Sequence, residues 1–258
     1  MGSSLMETIW LSEKRRKLLI LLMEGEKSPE EIKEAFGVSW RSLILPLKEL
    51  REEELVWNCE GKYCLSNIGK LIVENFMPVA SILTFFEKNT EYWTRKDLKV
   101  IPQALMDRIG EIRDYTIVEP DIDHMFDPPQ QFMEALRKAK HIYCVFSIYH
   151  PLYPPLYCEL AEKGTKLSLI LTESVLERVK EDCKDELERI EQLENVDIHL
   201  YKGENYPPHL AITDEIFLAG FFDTDRRYDH RDIMSFDESS LKWGKDLFDQ
   251  YCRVSDPL

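Results

Sequence analysis

An α+β fold in two domains is what this sequence predicts: a small helical domain closed by a hairpin, a linking helix, and a larger mixed α/β domain. Three observations carry that expectation. The chain has 258 residues, 44% of them hydrophobic and 11% aromatic, which is enough for two cores and excludes global disorder. Apolar residues recur at helical spacing as far as Asn75, whereas beyond Val100 short apolar runs alternate with amphipathic stretches. Charge divides at the same place, with 11 Lys/Arg against 13 Asp/Glu through residue 75 and 22 against 35 after it. The expected segments are 6–75, a linker or dimerisation helix over 76–100, and 101–258.

Ser12 is placed to cap a helix over Glu13–Glu24, with Leu18, Leu21 and Leu22 on one face and Gly25 ending it. Ser28-Pro29-Glu30-Glu31 offers a cap, a proline at the first helical position and the glutamate that completes a capping box. That helix stops at Gly37. Ser39 is the expected cap of a third helix, whose Leu43, Leu47 and Leu50 share a face and whose Pro46 should kink it. Two helices about a tight glycine turn form a helix-turn-helix pattern. Val56-Trp57-Asn58 and Tyr63-Cys64-Leu65 around a Gly-Lys tip add a hairpin, the wing of a winged helix. From Ser66 a further helix carries Ile68, Ile72, Phe76, Val79, Leu83 and Phe86 at seam spacing, interrupted at Pro78; the same stripe suits a core helix or a dimer seam.

In the second domain, helices are expected over Gln130–Ala139, Pro154–Lys163, Glu173–Glu194 and Ser239–Cys252. Strands are expected over His141–Ser147, Lys166–Leu171, Asp197–Tyr201, Leu210–Thr213 and Ile216–Phe222. This order predicts a mixed sheet covered on both faces.

Much is excluded. A domain with 13 more acidic than basic side chains does not bind a polyanion over its surface, so any nucleic-acid contact belongs to the first domain. The longest aliphatic run, Leu18–Met23, is far below the ~20 residues of a membrane span. No leader with a cleavage site is legible, so a cytoplasmic location without membrane contact is expected. The motifs of nucleophile elbows, phosphate loops, dinucleotide folds and zinc proteases are missing. The run Asp223–His230 lacks the turn glycine and final glutamate of a calcium loop, and its Arg and Asp are expected to pair with each other; no metal or cofactor is expected. Six cysteines form no zinc spacing, and Cys59 with Cys64 across the wing is either a thiol sensor or an inert pair.

Two loops are unusual. Tyr149–Tyr157 and Gly203–His209 are rich in proline and aromatic residues, and parallel strands before them would bring both to one carboxyl edge, where open α/β sheets hold ligands. His150, Tyr153 and His209, with Arg226 nearby, are the candidate lining for a small polar or anionic effector. For DNA, the candidates are Ser39, Trp40, Arg41, Ser42 and Lys48 on the third helix and Lys62 at the wing tip.

Ser39–Leu50, Tyr63–Ser66, Tyr143–Ser147 with the loop to Pro151, Leu169–Glu173, and Ser235–Asp237 with Trp243–Phe248 together resemble archaeal winged-helix transcription regulators. These carry the domain named for the methanogenesis and filament-formation regulator. The resemblance implies a double-stranded-DNA-binding regulator, homodimeric and ligand-controlled, whose C-terminal domain has a fold similar to phospholipase D. Catalysis of that type needs His-x-Lys-x4-Asp, but His209 is followed by Ala211 where the lysine belongs, and Asp214 comes two residues early. No enzymatic activity is therefore expected. A protein-binding use of the winged helix and, last, a phosphodiester hydrolase are the alternatives.

Overall fold

The computed structural model describes residues 5–119 and 128–258 and divides into two compact units at Ala80/Ser81. In the first unit, α1 (Leu5–Trp10) precedes α2 (Glu13–Met23), α3 (Pro29–Phe36), α4 (Arg41–Glu52), β1 (Val56–Cys59) and β2 (Lys62–Leu65). The Ser12 hydroxyl accepts from Arg15 N, and Ser28 and Glu31 form the reciprocal capping box. Gly37 takes the left-handed conformation (φ 60°) that ends α3, a conformation a side chain would strain. Leu18, Leu22, Ile32, Leu43, Leu47, Leu50 and Val56 close one core.

The third-helix cap differs from expectation. Trp40 already has helical backbone, so the Ser39 carbonyl takes the first bonds, from Ser42 N at 3.0 Å and Ser42 Oγ at 2.8 Å, and the Ser39 hydroxyl caps nothing. In the wing, Asn58 pairs with Tyr63 and Cys59 with Lys62. Both turn residues, Glu60 (φ 52°) and Gly61 (φ 86°), have positive φ, as a two-residue hairpin requires.

The chain then enters α5 (Asn67–Glu87), which crosses the unit boundary. It runs through Pro78 without restarting, because proline removes one hydrogen bond while its fixed φ suits a helix. Val73 is buried with the first core and Phe85 with the second, whereas Ile68, Leu71, Val79 and Leu83 are exposed. Among the described residues, α5 is long and apolar enough, by length and composition, to cross a membrane. Counting uninterrupted runs misses this, since Lys70, Glu74, Asn75 and Pro78 divide it.

The second unit continues with α6 (Thr90–Trp93), α7 (Gln103–Met106), β3 (Thr116–Val118), α8 (Gln130–Lys138), β4 (His141–Phe146), α9 (Tyr153–Glu162), β5 (Lys166–Thr172), α10 (Glu173–Asp182), α11 (Lys184–Ile190), β6 (Val196–Tyr201), β7 (His209–Ile212), β8 (Phe217–Gly220), β9 (Asp232–Ser235), α12 (Glu238–Arg253) and β10 (Asp256–Pro257). The single helix expected over Glu173–Glu194 is two, broken at Cys183, whose backbone (φ −141°, ψ 44°) is not helical. The sheet order is β10-β6-β5-β4-β7-β8-β9-β3, with β4, β5 and β6 parallel and the other pairings antiparallel. Phe132, Leu136, Tyr157, Leu160, Val175 and Leu187 from α8–α11 cover one face. Trp93, Ile109, Trp243, Leu247 and Phe248 cover the other, and the Trp243 indole donates to the Leu105 carbonyl at 3.0 Å. Leu210 and Ile212 pack on the second face and Ala211 on the first, the alternation of a strand buried on both sides.

Candidate functional site

Two places gather the candidate residues, one in each unit. In the first unit, burial of Leu43, Leu47 and Leu50 turns the opposite side of α4 outward. Arg41 and Lys48 are exposed there, with Ser39 at the helix entrance and Ser42 half-buried on its first turn. Lys48 lies 3.5 Å from Glu52 on the surface. Ile44 and Leu45 are also exposed, 50% and 60%, and were not anticipated as contacts; two adjacent leucine-like residues off the core face were the signal available. Trp40 is placed differently from a groove contact. It is half-buried against the core, its ring 6.0 Å from that of Tyr63, so it braces α4 against the wing. Lys62 is exposed at the wing tip, as is Trp57 beside it. Exposed Glu30, Glu31 and Glu34 make α3 a poor phosphate neighbour. Cys59 and Cys64 are free thiols, and burial, then contact with Cys59, pushes the Cys64 thiol up, the opposite of the activated thiolate that sensing uses.

In the second unit, the two unusual loops do meet at one sheet edge. Because β7 is antiparallel to β4, its first residue, His209, comes beside the carboxyl end of β4, and Ser147 Oγ there donates to the Pro207 carbonyl at 2.7 Å. A cavity of about 570 Å³ opens at this edge, lined by His150, Tyr153 and His209 together with Tyr228, His230 and Asp232. The His209 and Tyr153 rings stack, 5° from parallel at 6.2 Å, and the His150 ring lies 4.7 Å from that of Tyr153, tilted by 36°. His209 is 6% exposed, and its Nδ1 has no hydrogen-bond partner among the described residues. Burial, and then the neighbouring His150, lower its pKa to about 4, against the Val145 carbonyl. Asp232 accepts from the Tyr228 hydroxyl, yet burial still raises its pKa to about 6.

Arg226 is not part of this cavity. Its backbone N–H donates to the Asp223 carbonyl in a turn with φ 66°, and its guanidinium lies 5.8 Å over the Tyr206 ring. The charged loop instead closes on a lysine that no local pattern singles out. Lys96 is fully buried, with Nζ 2.9 Å from Asp223 Oδ1 and 2.8 Å from Asp229 Oδ1, ion-pair distances without good hydrogen-bond angles, and 4.7 Å over Tyr92. Arg231 holds Asp229 from the other side at 2.7 Å. No group of three or more His, Cys, Asp or Glu among the described residues is arranged for a metal.

The profiles of two domains, those of the "Methanogenesis regulatory protein FilR1" N-terminal and middle domains, match residues 5–86 and 125–254. The chain belongs to the FilR1 family. The FilR1 protein of Methanothrix harundinacea (strain 6Ac) is 21% identical over 255 residues, an alignment that takes in 96% of this chain and 56% of that protein. The chain thus spans little more than half the length of this FilR1 relative. Among solved structures, TrmBL2, an archaeal chromatin protein described as showing a novel mode of DNA binding, is similar over 95% of this chain and 94% of its own, at 13% identity and a TM-score of 0.44. A phosphatidylserine synthase from Haemophilus influenzae Rd KW20 is similar over 56% of this chain and 39% of its own, at 10% identity and a TM-score of 0.40. Both scores are too low to establish a shared fold with this FilR1-family chain.

Proposed function

We propose that this FilR1-family chain is a sequence-specific DNA-binding transcription regulator, a homodimer in the cytoplasm, whose second unit holds a small effector in the cavity around Tyr153 and His209. The observation that carries it is the outward face of α4, where Arg41 and Lys48 flank exposed Ile44 and Leu45 beside the wing's Lys62. Arginine near a recognition-helix N-terminus suits a guanine edge, and exposed aliphatic side chains suit thymine methyls. The FilR1 name of the relative, a methanogenesis regulatory protein, supports regulation in place of catalysis. His209 at the head of β7 has Ala211 two positions on, so a phospholipase-D-like sheet here would lack its phosphate lysine.

A gel shift on the DNA upstream of the chain's own gene tests this reading. Arg41→Ala should lose ~1–3 kcal/mol of specific binding, and Lys62→Ala should mainly lower the salt slope. A folded double variant that binds as wild type removes α4 and the wing from the interface. A folded wild type that retards no DNA favours the protein-binding use of the winged helix.

The dimer is proposed through the exposed stripe Ile68, Leu71, Val79 and Leu83 of α5, since paired half-sites need paired recognition helices. Ile72 and Phe76 pack on the first core, and Phe86 on the second, so they are poor probes. Leu71→Glu/Leu83→Glu is expected to give a folded monomer by light scattering and circular dichroism, with DNA affinity lowered at least tenfold. A wild type that is monomeric at micromolar concentration would refute the dimer.

A further inference from the structure

We propose that the cavity at the end of β4 and β7–β9 takes a small organic cation carrying at least one N–H, with Asp232 as its counter-ion and the Tyr153, His209 and Tyr228 rings as its walls. This rests on the reading of the cavity as the effector site and adds the chemistry of the effector.

The placement comes from one cross-strand row. His209 pairs with Gly220, Gly220 with Asp232, and Asp232 with Val118, so these positions address the same side of the sheet. Gly220 keeps that row open. A Cβ there would stand 2.2 Å from Asp232 Oδ1 and 2.7 Å from the Tyr228 hydroxyl, so only bare backbone lets the carboxylate and phenol lie across β8.

The charge of the cavity is then decided by which ions are already paired. No Lys or Arg lines it. Lys96 is held by Asp223 and Asp229, and Arg231 by Asp229, with Glu119 at 3.7 Å. Asp232 forms no ion pair within 4 Å among the described residues and receives only the Tyr228 hydroxyl. An unneutralised carboxylate among aromatic faces attracts a cation, and the buried Nδ1 of His209 offers a second partner for an N–H. A domain whose sequence is 13 charges net negative concentrates cations at such a cleft. His230 and, from outside the lining, Lys96 act on Asp232 electrostatically, but no Lys or Arg in the lining is there to receive an anion. The polar or anionic effector expected while Arg226 stood in the site is thus replaced by a cationic one.

Three probes of one shape test the proposal on the full chain at neutral pH by calorimetry: 2-phenylethylammonium, 2-phenylethanol and phenylacetate. The ammonium is expected to bind saturably and at least tenfold tighter than either analogue. Tetramethylammonium, which lacks an N–H, should bind more weakly than 2-phenylethylammonium. Asp232→Asn, which keeps an oxygen for the Tyr228 hydroxyl, should abolish the tenfold preference with an unchanged circular dichroism spectrum. Tyr153→Leu, which removes a ring and no charge, should weaken the ammonium severalfold more than the alcohol. Equal or tighter phenylacetate binding, a preference kept by folded Asp232→Asn, or no saturable ammonium binding at millimolar concentration overturns the proposal. Phenylacetate binding that His209→Ala removes would leave the cavity as the effector site with the wrong charge assigned, and the gel shift reports separately on the regulator reading.

Discussion

Lys96→Ala is expected to lose about 3–5 kcal/mol of unfolding free energy, read from the denaturant midpoint at constant slope. The side chain is wholly buried and faces two carboxylates, so its removal leaves two desolvated negative charges with only Arg231 to offset one of them. Burial pushes the Asp229 carboxyl up, but the Lys96 ammonium beside it and the hydrogen bonds from Arg231 outweigh that and hold it below the ordinary aspartate value. Asp223→Asn/Asp229→Asn added to Lys96→Ala should recover a large part of the loss, because breaking a buried pair costs far more than replacing all of its members. The loss is also expected to reach the cavity. Asp97 N donates to the Phe222 carbonyl and Thr224 N to the Arg95 carbonyl, so the segment around Lys96 is laced to the loop that carries Tyr228 and His230. A loss below about 1 kcal/mol, the scale of a surface pair, would show that this cluster is solvated in solution.

Local chemistry made the first unit legible. The Ser28–Glu31 box and the left-handed Gly37 depend on residues within a few positions of one another and stand where the sequence puts them; the hairpin also forms, with its turn at Glu60-Gly61, one residue before the expected Gly-Lys tip. Strands β4, β5, β7 and β8 were legible as largely apolar runs between turn signals, and β6 as the alternation Val196-Asp197-Ile198-His199-Leu200. Strands β3 and β9 were not. Thr116–Val118 is three residues long and pairs with Asp232–Ser235, more than a hundred positions away, so nothing local marks either of them. The break at Cys183 was invisible for the opposite reason: Val175, Val179, Leu187 and Ile190 keep a helical spacing across it, and no glycine or proline stands there.

The same division governs the candidate site. His150, Tyr153 and His209 could be brought together from two proline-rich loops and the expectation of parallel strands, and the structure does place them on one cavity. Tyr228 falls inside the charged run Asp223–His230, expected to pair with itself, and Asp232 just beyond it carries no local signal, since the partners of both depend on β9 lying beside β8. Lys96 was missed because a buried lysine is recognised only through the acids around it, and those are more than a hundred residues away in sequence. Arg226 was misplaced for want of the turn geometry that sends it over Tyr206.

His209 and Asp232 should make opposite and nearly equal contributions to stability between pH 4 and 6.5. Burial raises the Asp232 pKa to about 6, against an unfolded value of about 3.9. Between those values the native state holds a proton that the unfolded chain has released, so this contribution is full below pH ~4 and is lost as pH rises through ~6. Burial lowers the His209 pKa to about 4, against an unfolded value of about 6.5. There the unfolded chain takes a proton that the native state refuses, so this contribution is full above pH ~6.5 and is lost as pH falls through ~4. At 1.4 kcal/mol per pKa unit each is worth up to about 3 kcal/mol, with the Asp232 figure reduced by its partial exposure to the cavity. Relative to wild type, Asp232→Asn should unmask the histidine and lose stability on acidification from pH 6.5 to 4. His209→Gln should unmask the carboxyl and lose stability in the other direction, on raising pH from 4 to 6. Urea unfolding of the three proteins across this range measures both differences against the common background of the remaining acids. Difference curves of the same sign, or flat for both variants, would mean that water reaches one or both groups and that the cavity is open at the cross-strand row.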